Sequence, residues 1–276
     1  EISTAYCSKM INRETMIKST NLLLCLLALI SSSRQVGAFS TTSPSSKKVT
    51  VVGGTGFVGS RVCKILTDKY GAAVTSISKN GQVPEWCKDE AWTSQVEWKS
   101  VDLLNCSDES LDEAMGKPSA VVSCVGVVGT DQEELLRGNG KANAEAFASA
   151  KRVGSMERAA FVSVASEVAA CKDSWLPEFF SGYFEGKIQA EQAALSAVDD
   201  DSSKLGIVKP TFIYGGDSFG LLPPRVNNEY GSAVEEILTW GIFNLLADVT
   251  PGLIKVALRP PVSVDAVAGA CASVAM

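Results

Sequence analysis

Val49-Thr50-Val51-Val52-Gly53-Gly54-Thr55-Gly56-Phe57-Val58-Gly59 decides how the rest of the chain is read. A short β-branched run enters a glycine turn, and an amphipathic pattern then starts with Val58, Val62, Ile65 and Leu66 at helical spacing. The expectation is strand, turn, helix. Gly53, Gly56 and Gly59 stand at G-x-x-G-x-x-G spacing, and each glycine has a mechanical use. One turns the chain, one lets backbone approach a pyrophosphate, and one lets helix pack close on strand. The helix N-terminus adds N–H groups and partial positive charge for the phosphates, so a nucleotide site is expected here.

The whole chain narrows the classes. With 276 residues it is long enough for one large or two small domains with a substantial core. A net charge of -6 with scattered Lys and Arg argues against a nucleic-acid partner, which needs clustered cations. The chain has no histidine, so a Ser-His-Asp triad, a Cys-His dyad and a His-based zinc site are all ruled out. Cys7 and Cys25 fall in a leader; Cys63, Cys87, Cys106, Cys124, Cys171 and Cys271 are widely spaced without a C-x-x-C pair. They read as buried thiols, and no metal site is expected.

Residues 1–47 read as a targeting presequence. Lys18 precedes an apolar run at 22–30, too short to span a membrane, and Val36-Gly37-Ala38 supplies small residues for cleavage. From Phe39 to Lys48 the chain is rich in hydroxyls, basic and free of acid, the composition of a transit segment. The two-part leader resembles the plastid-targeting presequence of algae with secondary red-type plastids; secretion and a mitochondrial destination are the alternatives.

From Lys48 onward short β-rich runs alternate with helical patterns. Strands are expected at 49–52, 74–78, 96–101, 120–125, 161–164 and 205–208, with helical stretches at 132–153 and 183–198. Such alternation predicts an α/β fold, a Rossmann-type doubly wound parallel sheet with its ligand over the carboxyl ends of the strands. The nucleotide-binding domain is placed at 48–220, followed by a small C-terminal substrate-binding region, or lid, at 221–276.

Two further constellations carry chemistry. The second strand ends at Ser78-Lys79, nineteen residues after Gly59, where an NAD-preferring site usually places an acid on the ribose. Ser78 and Lys79 instead suit a 2′-phosphate and favour NADP, with NAD the alternative. Asp102, directly after the third strand, is placed to accept from an adenine amino group. Tyr183 and Lys187 stand four apart on one helix face, so that an ammonium can lower the phenol's pKa and reach the nicotinamide ribose.

With these residues in view, the chain from Lys48 resembles an atypical, extended short-chain dehydrogenase/reductase of the NAD-dependent epimerase/dehydratase type. The resemblance rests on the glycine turn, Asp102-Leu103, Asn139-Gly140-Lys141-Ala142-Asn143, Tyr183 with Lys187, and Lys209-Pro210-Thr211-Phe212-Ile213-Tyr214-Gly215. It is nearest to the group of the dehydrogenase-like accessory subunit of respiratory complex I, mitochondrial proteins linked to ubiquinone synthesis, and related plastid proteins. It implies an NADPH-dependent oxidoreductase acting on a carbonyl or quinone-like substrate, or a non-catalytic subunit associated with a membrane complex. The cofactor set it implies is Gly53, Thr55, Gly56, Phe57, Val58, Gly59, Ser78, Lys79, Asp102, Leu103, Cys124, Gly126, Lys187 and Pro210. The catalytic set is Tyr183, Lys187 and a hydroxyl after strand five. Ala165 stands where that hydroxyl is usual, so the role falls to Ser163, to Ser166 or to neither.

The lid contains an apolar segment with Val234, Ile237, Leu238, Ile242, Phe243, Leu245 and Leu246. It reads as a helix over the substrate pocket, or as a surface for a quinone, a lipid-like ligand or a membrane partner. Residues 260–268 resemble the family's late strand and helix start.

Overall fold

A computed structural model describes residues 47–169, 181–216, 220–221, 224–250 and 252–276. The expected presequence and Cys171 lie outside the described residues. The main sheet holds six strands in the order β3-β2-β1-β4-β5-β6. These are β1 (Lys48–Val52), β2 (Ala73–Ser78), β3 (Val96–Ser100), β4 (Ala120–Ser123), β5 (Arg158–Val162) and β6 (Leu205–Val208), and all neighbours pair in parallel. The central strands are buried on both faces, which is why their sequences run as continuous β-branched and small apolar residues rather than alternating.

Helices cover both faces. On one, Val49, Val51, Val122 and Ala160 meet α1 (Gly59–Asp68) and, from far along the chain, α10 (Val264–Ala275). On the other, Val52, Ile77, Val121 and Phe161 meet α2 (Asp108–Met115), α4 (Ala142–Arg152) and α6 (Ser181–Ala197). Phe147 of α4 sets its edge on Phe161 at 6.1 Å, and each ring buried there contributes roughly 1.5–3 kcal/mol. Helix starts follow local chemistry: Ser107 caps α2 by accepting from the Ser110 N–H at 3.3 Å, with Asp108 and Glu109 in the first turn.

Three expectations change in detail. The helical stretch at 132–153 is built as α3 (Gln132–Leu136), a π-helical turn (Arg137–Lys141) and α4. Strand four stops at Ser123, and strand five at Val162, so residues 124–125 and 163–164 leave the sheet as loop. The expected lid divides: α7 (Asn228–Leu238), α8 (Gly241–Val249) and α9 (Gly252–Leu258) form the C-terminal region, whereas α10 packs on the main sheet. Between them β8 (Val262–Ser263) pairs in parallel with β7 (Ile213–Tyr214), where a late strand and helix start were expected. A further short helix, α5 (Ser166–Ala169), follows strand five.

Candidate functional site

After β1 the chain runs to one side of the sheet through β2 and β3, then returns to the other side at β4. That reversal leaves a crevice over the carboxyl ends of β1 and β4, the place where doubly wound folds bind ligands. The glycine turn stands at its edge. Gly53 has φ of +78°, which only glycine adopts without strain, and its N–H donates to the Ile77 carbonyl at 2.7 Å, tying the turn to β2. The left-handed residue of the turn is therefore Gly53. Gly59 is fixed by space: a Cβ there would stand 2.2 Å from the Gly53 carbonyl oxygen, so any side chain pushes α1 off the turn. Gly54, which sequence reasoning passed over, is held in the same way against Ser76 of β2, at 2.2 Å from its Oγ.

Above this turn lies a cavity of about 730 Å³. Among the expected cofactor residues, Gly53, Thr55, Gly56, Ser78, Lys79, Asp102, Leu103, Cys124 and Gly126 line it; Phe57, Val58, Gly59, Lys187 and Pro210 do not. Phe57 is half-buried against the core on the α1–α10 side, its ring under the Arg61 guanidinium at 4.8 Å, and Val58 and Gly59 begin α1 behind the turn. Pro210 sits beyond β6, its carbonyl accepting from the Ala165 N–H at 3.0 Å.

At the far end of the cavity Lys79, 82% exposed, pairs with Asp102 at 3.0 Å. Asp102 is held below the usual carboxylate range by Asn105, by Lys79 and by the Leu104 N–H. Ser78 Oγ accepts from the Gly81 N–H at 3.2 Å. The opposite rim carries Asp131, Glu133, Glu134 and Arg137, which the sequence did not single out.

The floor is the loop 123–127, and two buried asparagines hold it. Asn139, in the π-helical turn, accepts from the Val127 N–H at 3.1 Å and donates to the Val127 carbonyl at 2.9 Å. Asn143 accepts from the Ser123 hydroxyl and donates to the Val125 carbonyl at 3.3 Å. The sequence marked both residues as part of a helix start, without a role. The turn that carries Asn139 packs directly on α6: a Cβ at Gly186 would lie 2.9 Å from the Asn139 Cβ.

Behind that floor stands Lys187 of α6, 4% exposed, whose ammonium donates to the Val162 carbonyl at 3.0 Å and the Val125 carbonyl at 3.2 Å. Burial pulls its pKa down to about 8, with opposing contributions from Cys124 and Glu191. Tyr183 lies one turn earlier on the same helix, its ring centre 5.9 Å from the ammonium. The phenol's pKa is pushed up to about 12 by burial, where the sequence led one to expect a lowering by Lys187. The difference has a geometric cause: the ammonium is turned to two backbone carbonyls, and desolvation dominates the phenol.

The two candidate serines part company. Ser163 is buried and donates to Glu191 of α6, which is bridged to Lys209 at 2.8 Å; Ser166 is exposed at the start of α5. Neither lines the cavity. Of the six cysteines expected as buried thiols, Cys63, Cys87 and Cys271 are buried, and Cys106 and Cys124 are partly so. The Cys271 thiol and burial hold the Cys124 thiol well above its ordinary pKa.

A glycine turn at the switch point of a doubly wound sheet, with a cavity over it and a Lys-Tyr pair behind the floor, defines the class of dinucleotide-binding α/β proteins. The chain belongs to the NAD dependent epimerase/dehydratase family, whose match covers residues 49–244. An uncharacterized chloroplastic protein of Arabidopsis thaliana is 35% identical over 172 residues, 62% of this chain and 52% of that protein. MIOREX complex component 2 of Saccharomyces cerevisiae is 31% identical over 84 residues, 29% of each chain. The match thus spans about half the length of the first relative and less of the second. Among solved structures, UDP-glucuronic acid 4-epimerase from Bacillus cereus in complex with NAD is similar, with a TM-score of 0.48 and 19% identity, covering 61% of this chain and 57% of that one. The UDP-Glc/GlcNAc 4-epimerase of Campylobacter jejuni has a TM-score of 0.49 and 14% identity, covering 63% and 56%.

Proposed function

We propose that this protein is an NADPH-dependent oxidoreductase that reduces a carbonyl or quinone-like substrate, with Tyr183 as proton donor and Lys187 as its electrostatic partner. The observation that carries this reading is the Lys187 ammonium, bonded to the Val125 and Val162 carbonyls directly behind the cavity floor, on the helix that also presents Tyr183. The cavity suits a dinucleotide: its phosphate end is a turn in which Gly59 leaves no room for a side chain, and its other end carries Ser78 and Lys79. The bound cofactor supplies the hydride. Tyr183, raised to about 12, stays protonated at neutral pH and so holds the proton that the substrate oxygen needs. The phenolate left behind has the Lys187 ammonium 5.9 Å from its ring centre. The serine role falls to Ser166 in preference to Ser163, whose hydroxyl is engaged with Glu191.

The NADPH preference rests on Lys79, which a 2′-phosphate would draw from Asp102; NAD is the alternative. The domain boundary near residue 220 and a plastid destination belong to the same reading, the latter supported by the leader and by the relative named as chloroplastic. Titration with NADPH and NADH tests the cofactor, and equal or tighter NADH binding removes the preference. Tyr183→Phe is expected to leave nucleotide affinity unchanged and to lower turnover by roughly a hundredfold to ten-thousandfold. Intact turnover in that variant removes the catalytic half.

A second reading has its own support: a subunit that keeps the nucleotide for structure and docks on a membrane complex. It is favoured by the engaged Ser163 and by exposed Trp240, Ile242 and Leu245. Among the described residues no helix is long and apolar enough to cross a membrane. Co-purification with a membrane complex, without turnover of carbonyls or quinones, selects this reading.

A further inference from the structure

The C-terminal region encloses a second cavity, of about 340 Å³, which shares no described lining residue with the nucleotide cavity. Phe212 and Tyr214 lie on one side of it, Val234 and Leu238 of α7 on another, and Val256 of α9 on a third. Among the described lining residues Arg259 is the single charged one. Its Nη2 pairs with Asp248 at 2.9 Å, while its Nε is buried with no hydrogen-bond partner among the described residues. Burying a donor without an acceptor costs about 1–3 kcal/mol, and more on a charged group, so the single contact with Asp248 leaves the guanidinium with donor capacity to spare. Glu235 of α7 is already engaged by the Tyr214 hydroxyl.

The surroundings are apolar. Ile237 of α7 and Ile254 of α9 are exposed along the same two helices, and Trp240, Ile242 and Leu245 between them are 62%, 62% and 65% exposed. Cavities of roughly 300–1,000 Å³ hold small ligands, and this one stands at the lower end, too small for a two-chained lipid. A phosphate monoester would bring a charge of about −1.5 to −2 beside Asp248, whereas a carboxylate brings one.

We propose that this groove binds a fatty-acid-class amphiphile, its carboxylate accepting from the exposed part of the Arg259 guanidinium and its single alkyl chain lying between α7 and α9. The site is independent of the nucleotide reading and stands or falls without it.

Calorimetric titration of the full chain with monomeric dodecanoate tests it. Binding is expected at one site, and Arg259→Gln is expected to weaken it by roughly tenfold to a hundredfold. Dodecanol, with the same tail and no charge, should bind the unaltered protein more weakly by a similar factor. Val256→Trp, which keeps Arg259 and fills the groove, should abolish binding, and circular dichroism checks that both variants fold. No binding of dodecanoate, equal affinity for dodecanol, or undiminished binding by either folded variant overturns the proposal. So does partition into phosphatidylcholine vesicles, unaltered by Arg259→Gln, in place of monomer binding.

Discussion

Replacing Lys187 by Met tests the electrostatics behind the floor of the site. Lys187 is 4% exposed, and burial takes its pKa from 10.5 to about 8. Protonation is thus favoured in the unfolded chain, and each pH unit between the two pKa values is worth about 1.4 kcal/mol. The folded state keeps its full stability above the unfolded pKa and loses it as pH falls to about 8, below which the loss is constant. The whole penalty is roughly 3 kcal/mol, and about 2 kcal/mol of it disappears between about pH 7 and about pH 9.5. Methionine takes up no proton, so its own cost, unmet carbonyls at Val125 and Val162 of about 1–3 kcal/mol each, is the same at every pH. Urea unfolding of both proteins across that range gives the difference directly. The stability of the unaltered protein minus that of Lys187→Met is expected to rise by about 2 kcal/mol toward alkaline pH. A difference flat to within about 0.5 kcal/mol, or one that falls with pH, would refute a desolvated ammonium at this position.

Gly59→Ala brings a methyl group to 2.2 Å from the Gly53 carbonyl oxygen, so nucleotide affinity should drop, with a stability loss of roughly 1–3 kcal/mol in urea; unchanged affinity would mean that α1 and the turn need not touch. Asn143→Ala strips a partner from the Ser123 hydroxyl and from the Val125 carbonyl, and should destabilise by about 1–3 kcal/mol, read as a lower unfolding midpoint. Lys79→Asp places a negative charge where a 2′-phosphate is proposed to lie, and should turn a preference for NADPH into one for NADH, measured as the ratio of the two dissociation constants.

The glycine turn was legible in the sequence because strand, turn and helix are neighbours in the chain. The doubly wound parallel sheet followed from alternation, since parallel strands joined by helices leave few topologies. What escaped depends on distant partners. Val121-Val122-Ser123-Cys124-Val125 holds no glycine, proline or charge, so nothing local ends the strand at Ser123; the chain leaves the sheet because Asn139 and Asn143, on another element, capture the loop that follows. Gly54 needs Ser76 across the sheet to explain it, though the Gly53-Gly54 doublet was a signal. Spacing brought Tyr183 and Lys187 to one helix face, but burial sets their proton affinities, and burial comes from packing. Helix α10 was readable in kind, with Val264, Val267, Ala268, Cys271, Ala272 and Ala275 at helical period; its assignment to a lid hid that the stripe faces the main sheet.

That stripe has a consequence for how the protein is made. All six strands of the main sheet precede residue 209, yet the face bearing Val49, Val51, Val122 and Ala160 is completed by residues 264–275. A chain synthesised or translocated with its N-terminus leading therefore carries an assembled sheet with one greasy side half bare while more than fifty further residues follow. During that interval the bare side is the natural target for a holding chaperone, and for aggregation where none is present.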